Sequence, residues 1–229
     1  MLEGVTPLSA PGQGMIAQTP PLVFVVDDDI SVRESLEPLI RFAGWQPETF
    51  ATAEEFLSRP RALAPSCLIL DVSLPDLNGL DLQKRIADDR ADMPIIFITG
   101  YGDVPMSVKA MKAGAVEFLT KPFSDEVLLS AIDSAIERSR AALGDEAETR
   151  ELTDRYASLT GRERQVMTLV VTGLLNKQVG AELGISEITV KAHRGKVMTK
   201  MKAASLPDLV TIAARLRLAG EPAHSAPAR

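Results

Sequence analysis

The chain has 229 residues, 45% of them hydrophobic, with a formal net charge of −6, two histidines and one cysteine. That length suits one large domain or two small ones, no apolar run nears the ~20 residues a bilayer crossing requires, one cysteine cannot close an internal disulfide, and so few histidines and cysteines argue against a zinc site. A cytoplasmic protein that does not engage the membrane is expected. The charge is uneven along the chain: Pro21 to Arg140 holds 12 basic and 20 acidic residues, whereas Ser158 to Ala219 holds 10 basic and 4 acidic. An acidic block followed by a smaller basic block predicts two domains with different partners.

Residues 1–20 are rich in Pro, Gly, Ser and Gln and lack the basic start and apolar core of a signal peptide, so a disordered tail is expected there. From residue 22 short apolar runs alternate with longer helical stretches. A strand at Leu22–Val26 is followed by a helix at about Ser31–Ala43, with Ser31 and Glu34 at capping-box spacing and Gly44 at its end. Pro38 removes a backbone donor inside that helix and predicts a kink. A weaker strand near Gln46–Phe50 precedes a helix near Ala53–Arg59, and a strand at Cys67–Leu70 precedes one at about Gly79–Asp88. Cys67, inside that apolar strand, reads as packing. Strands at Ile95–Thr99 and about Val116–Leu119 are followed by helices at about Val104–Ala113 and from Asp125 on. Five β-then-α units over residues 21–140 predict an α/β fold, a doubly wound five-stranded parallel sheet.

Residues 141–157 are charged and helix-favouring and read as a helical linker. Residues 158–219 show helical patterns only. Thr160 and Glu163 form a capping box for a helix ending at Gly173. Asn176 is placed to cap a short helix through Leu183, Gly184 makes a turn, Ser186 caps a longer helix to about Met201, and Ser205 caps a last one. Short helix, glycine turn and second helix is helix-turn-helix spacing, so a second, all-α domain is expected. Residues 220–229 read as a disordered tail.

Open parallel sheets bind ligands beyond the carboxyl ends of their strands. Asp71 ends one strand, Asp27 to Asp29 follow another, Thr99 closes a third and Lys121 follows the fifth. Carboxylates so gathered repel one another unless a cation joins them, and Mg2+ suits such an oxygen cluster beside a phosphate. Asp71 is thereby a candidate nucleophile towards phosphorus.

The stretches "VVDDD", "LILDVSLPDLNGLDL" and "IIFITGYGDVPMSVKAMKAGAVEFLTKPF" resemble the receiver domain of a two-component response regulator, which has a flavodoxin-like fold. "LTGRERQVMTLVVTGLLNKQVGAELGISEITVKAHRGKVMTKM" resembles a LuxR-type helix-turn-helix, and the wording "GDVPM…AMKAGAVEF…KPF" is similar to the FixJ branch of the FixJ/NarL type. The resemblance implies Asp71 as phosphoacceptor, with Asp28, Asp71 and the backbone carbonyl of Ser73 as Mg2+ ligands and Asp27 holding metal-bound water. It implies Thr99 and Lys121 as phosphoryl-binding groups, Phe118 as an aromatic switch and a cis Lys121–Pro122 bond. The implied partners are a sensor histidine kinase, promoter DNA and RNA polymerase. A homodimer would form on phosphorylation through the helix bearing Val108 and Lys112, and the outcome would be transcriptional activation. Tyr101, two residues past Thr99, is expected to rim the pocket and slow hydrolysis of the phosphate.

At ~100° per residue, Val190, Val197 and Met201 share the core side of the helix after Ser186, with Ile188, Lys191, Ala192 and Gly195 nearly opposite. Lys191 is then the long donor for a base edge, and Ala192 can meet a thymine methyl group. His193, Arg194, Lys196 and Lys200 complete the candidate DNA-binding set, with Arg194, Lys196 and Lys200 assigned to phosphates. Gly180 and Gly195 fall where such domains usually carry larger residues, which weakens the expectation of tight packing and of rich base readout. Two other functions fit parts of the pattern. An aspartate-nucleophile phosphatase would place a second carboxylate two residues past Asp71, where Ser73 stands. A purely protein-binding regulator would leave the basic block without a role.

Overall fold

The computed structural model describes residues 20–87, 89–100 and 104–216. The expected tails, except Pro20, lie outside the described residues, as do Asp88 and Tyr101. The chain divides into two compact units, residues 1–143 and 144–229.

The first unit alternates strand and helix: β1 Leu22–Val26, α1 Ile30–Phe42, β2 Gln46–Phe50, α2 Ala53–Ser58, β3 Ser66–Asp71, α3 Gly79–Ile86, β4 Ile95–Thr99, α4 Val104–Lys112, β5 Glu117–Thr120 and α5 from Asp125. The strands form one parallel sheet in the order β2-β1-β3-β4-β5. β1, β3 and β4 are buried along their whole length. Central strands of a parallel sheet are covered on both faces, which is why these three read as continuous apolar runs. β2 lies at an edge and is half exposed, and there Pro47 is tolerated because one side of the strand has no ladder partner.

Side chains alternate across each strand, and the two faces meet different helices. Phe24, Val26, Leu68, Leu70 and Phe97 pack with Phe56 of α2, Leu82 and Ile86 of α3 and Ala110 of α4. Val23, Val25, Cys67, Ile69, Ile96 and Ile98 pack with Leu36 and Ile40 of α1 and with Leu128, Ile132 and Ile136 of α5. The fully buried Leu, Ile and Phe side chains contribute about 1.5–3 kcal/mol each.

Local details differ from expectation in a few places. Asp29, not Ser31, caps α1: its carboxylate accepts from the Ser31 N–H at 2.8 Å, so the Ser31–Glu34 capping box does not form. An aspartate two residues earlier simply reaches the free amides first. Pro38 lies inside α1 on its exposed side, where water can serve the carbonyl its ring leaves unpaired. β3 extends one residue further than the apolar run, so Asp71 belongs to the strand. The helix from Asp125 and the helical stretch 141–157 are one continuous helix to Ala157, and the division between the units falls within it.

The second unit holds the last part of α5 and helices α6 Gly161–Val171, α7 Asn176–Leu183, α8 Glu187–Met201 and α9 Leu206–Arg215. Its core gathers Leu152, Val166, Met167, Val170, Val179, Val190, Val197, Met201, Leu209 and Ile212. Thr160, Ser186 and Ser205 cap α6, α8 and α9 as expected. Asn176 does not cap α7, because it is already the first helical residue; the Leu175 N–H is satisfied by Gln178 Oε1 at 2.8 Å. Gly184 sits at φ 65°, the left-handed turn between α7 and α8 that glycine adopts without a Cβ penalty.

Candidate functional site

Parallel register brings the acidic residues to one edge of the sheet. Val26 pairs with Leu70, which puts Asp27 level with Asp71, and Asp71 itself pairs with Ile98, the residue before Thr99. Asp27, Asp71 and Thr99 are all buried, whereas Asp28 is exposed. Lys121 follows β5 and reaches across: its Nζ donates to Asp27 Oδ2 at 2.6 Å and to Asp71 Oδ2 at 2.8 Å. The other carboxylate oxygens are held by the backbone, with Asp29 N–H donating to Asp27 Oδ1 at 2.9 Å and Ser73 N–H to Asp71 Oδ1 at 2.8 Å. The peptide bond Lys121–Pro122 is cis.

Electrostatics mark the cluster as short of positive charge. Burial pushes the Asp27 carboxyl above its ordinary value, against the hydrogen bonds from Lys121 and the Asp29 backbone, and the nearby Asp71 charge adds to the rise. Burial pulls Lys121 down, but its bonds to Asp27 and Asp71 carry it above its ordinary value. One ammonium therefore bonds two of the three clustered carboxylates, Asp27 and Asp71. Oxygens of Asp27, Asp28 and Asp71 lie within 4.8 Å of one another. This all-oxygen donor set of high charge fits a hard divalent cation such as Mg2+.

A glycine missed in the sequence contributes to this geometry. A Cβ on Gly79 would lie 2.7 Å from the Asp71 carbonyl oxygen and 3.2 Å from the Phe97 ring. Only glycine lets the start of α3 come so close to the strand end, and its N–H donates to the Val72 carbonyl at 3.0 Å. The signal was visible as the glycine of "LPDLNG", but closeness to a neighbouring strand is not a local property. Phe118 is half-buried with its ring centroid 6.2 Å from that of Phe97. On α4, Val104, Val108 and Met111 are exposed apolar residues, and Lys112 is exposed beside them.

In the second unit, Val190, Val197 and Met201 are buried as the helical spacing predicts, while Ile188, Lys191, Ala192, Gly195 and Lys196 are exposed. Arg194 is half-buried, and its Nη1 donates to Asn176 Oδ1 at 3.2 Å, so α7 restrains it. His193 is half-buried, with Nδ1 enclosed and lacking a hydrogen-bond partner. Lys200, expected at a phosphate, also has partners inside its own domain. Its Nζ donates to Glu163 Oε2 at 2.7 Å and to the Ser158 carbonyl at 3.1 Å, and Glu163 is buried. A buried carboxylate must keep its partner, which makes Lys200 an internal brace. Gly180 corrects the expectation of weakened packing. A Cβ there would lie 2.7 Å from the Ile185 carbonyl oxygen, so the small residue is what allows tight packing of α7 on the turn.

A family model described as the response regulator receiver domain matches residues 23–133, and one described as bacterial regulatory proteins, luxR family, matches residues 157–213. The chain is 50% identical over 200 residues to Nodulation protein W of Bradyrhizobium diazoefficiens, a match covering 87% of this chain and 88% of that one. It is 43% identical over 198 residues to Transcriptional regulatory protein FixJ of Rhizobium meliloti, covering 86% and 95%. Among solved structures it is similar to response regulator StyR, with a TM-score of 0.76 at 45% identity over 86% of this chain and 100% of that one.

Proposed function

The chain belongs to the response regulators that join a receiver domain to a LuxR-type DNA-binding domain, and from that premise we propose that Asp71 is the residue through which phosphorylation controls it. It is a phosphorylation-controlled, DNA-binding transcriptional regulator with a sensor kinase as partner. The observation that carries the assignment is the Asp71 carboxylate at a strand end, 2.8 Å from Lys121 Nζ and clustered with Asp27 and Asp28.

The phosphoryl group leaves an imidazole nitrogen of the kinase as a carboxylate oxygen of Asp71 bonds to phosphorus; the N–P bond breaks as the O–P bond forms. A divalent cation would be held by Asp28, Asp71 and the Ser73 carbonyl, with Asp27 engaging it through water, and would supply neutralisation of charge on the phosphoryl oxygens. Lys121 donates to a phosphoryl oxygen, and Thr99, buried at the neighbouring strand end, takes another. Movement of Thr99 towards the phosphate makes room for Phe118 to turn inward and biases α4 and β5 between two arrangements. Magnesium-dependent self-phosphorylation and hydrolysis are the most chemistry the chain performs.

The receiver spans residues 21–140, a helical linker 141–157 and the DNA-binding domain 158–219. Exposed Val104, Val108 and Met111 support a dimer contact along α4. Two copies then present α8 to adjacent half-sites, with Lys191 and Ala192 at base edges and Lys196 on phosphate. His193 and Arg194 lie beside this face and assist from its flank. Activation of transcription through RNA polymerase, in the cytoplasm, completes the proposal; no described helix is long and apolar enough to cross a membrane.

Asp71→Asn tests the assignment. With acetyl phosphate and Mg2+, the wild type should gain one phosphoryl group by mass spectrometry and the variant none, while circular dichroism stays unchanged. Equal labelling of the variant would move the phosphoacceptor elsewhere.

A further inference from the structure

The acidic loop between β1 and α1 is restrained from the helix side as well as from the sheet. Asp29 caps α1, and Asp27 is buried with both carboxylate oxygens engaged. Asp28 differs: it is exposed, and among the described residues no other side chain holds its carboxylate. Crowded against two other carboxylates, it would relieve repulsion by turning outward into water. Arg33, one turn into α1, fixes the backbone from which that side chain springs. Its Nη1 donates to the carbonyl oxygens of both Asp27, at 2.5 Å, and Asp28, at 3.0 Å. One half-buried guanidinium nitrogen thus ties together the backbones of two of the three carboxylate residues that could hold a cation.

We propose that Arg33 is a positioning residue for the divalent cation, holding the Asp27–Asp28 backbone so that both carboxylates converge on the side where Asp71 lies. This rests on the reading of that cluster as a Mg2+ site. Two effects of Arg33 oppose each other. Its positive charge repels a dication, whereas its bonds to the loop lower the cost of gathering the ligands. The charge is screened at the rim of the domain, while the bonds act directly on the ligand residues. Outer partners of metal ligands are commonly worth about 10–100-fold in metal affinity, so positioning should win.

Isothermal titration of Mg2+ into the full-length, unphosphorylated chain separates the two effects. Arg33→Ala should weaken Mg2+ binding about 10-fold, and Arg33→Lys, which keeps a long donor, should recover part of the loss. The thermal midpoint in EDTA should remain close to that of the wild type. Labelling by acetyl phosphate should be slow in Arg33→Ala at low Mg2+ and return to the wild-type rate at saturating Mg2+. If Arg33→Ala binds Mg2+ equally or more tightly, charge dominates and the positioning role is overturned. If the wild type itself takes up no Mg2+, the reading of the cluster as a metal site fails, and the role of Arg33 with it.

Discussion

Glu163 shows how one buried carboxylate can tie two helices together. Its carboxylate accepts from Lys200 Nζ at 2.7 Å and from the Thr160 N–H at 2.9 Å. The bond from Lys200 and the backbone bond from Thr160 hold its carboxyl at about 2, below the ordinary 4.5. A depressed carboxyl stabilises the fold fully above its unfolded value, and that contribution fades as pH falls towards the folded value. Calorimetry of the whole chain should therefore show the wild type melting above Glu163→Gln near neutral pH. The gap should shrink between about pH 4.5 and pH 2, and a gap independent of pH would contradict the ion pair. Lys200 belongs to this brace, so Lys200→Ala should cost stability before it costs DNA affinity.

At the scale of elements, two glycines in neighbouring helices make opposite predictions. Gly180 of α7 faces the Ile185 carbonyl so closely that a methyl group has no room, whereas a Cβ on Gly195 of α8 meets nothing within 4 Å. Overpacking costs roughly 1–3 kcal/mol, so Gly180→Ala should lower the midpoint of urea unfolding and loosen the turn that aims α8. Gly195→Ala should raise it, because alanine is favoured over glycine inside a helix by about 0.5–1 kcal/mol. Should Gly180→Ala prove as harmless as Gly195→Ala, the close approach of α7 to the turn would be wrong. A similar contrast runs through α4. Gln83 of α3 is buried and donates from Nε2 to the Ala113 carbonyl at 3.0 Å, fastening the end of α4 from beneath, while Val104, Val108 and Met111 lie open on its outer side. An exposed apolar row on a helix so anchored favours a contact with another copy. Val108→Asp should leave labelling by acetyl phosphate intact but hold the phosphorylated protein as a monomer in sedimentation. A normal phosphorylated dimer would remove α4 from the interface.

The whole molecule divides its chemistry by charge. The acidic unit gathers carboxylates where a cation and a phosphoryl group can meet, and the basic helical unit presents lysines to a polyanion. Exposed Lys191 and Lys196 stand on different parts of α8, so their loss should be felt differently. Lys191→Ala should cost about 1–3 kcal/mol at one or two base positions and relax preference there. Lys196→Ala should weaken all sequences alike and reduce the salt dependence of binding by about one counterion. Binding measured across salt concentrations and site variants tells them apart, and interchanged behaviour would mean that α8 enters the groove by another face. With Lys191 and Ala192 as the side chains proposed at base edges, half-site spacing and DNA shape should supply much of the selectivity.

Much of this was legible along the chain because it is local. Strand ends follow from where apolar runs stop, and parallel packing brings such ends to one edge, so Asp27, Asp28, Asp71, Thr99 and Lys121 could be grouped before any coordinates. Caps at Thr160, Ser186 and Ser205 and the buried stripe of Val190, Val197 and Met201 depend on neighbours within a turn or two, which periodicity captures. What the sequence could not decide were contacts between residues distant along the chain and choices between near-equivalent neighbours. Asp27 is buried and Asp28 exposed because successive residues leave a strand on opposite sides of the loop. Lys121 reaches Asp27 across 94 positions, and Lys200 turns to Glu163 across 37, although spacing alone placed Lys200 on a DNA-facing flank. Gly79 and Gly180 are required by backbones that approach only after folding. Tertiary structure settled these points because burial makes an unpaired charge costly, and which partner is within reach is a property of packing rather than of order along the chain.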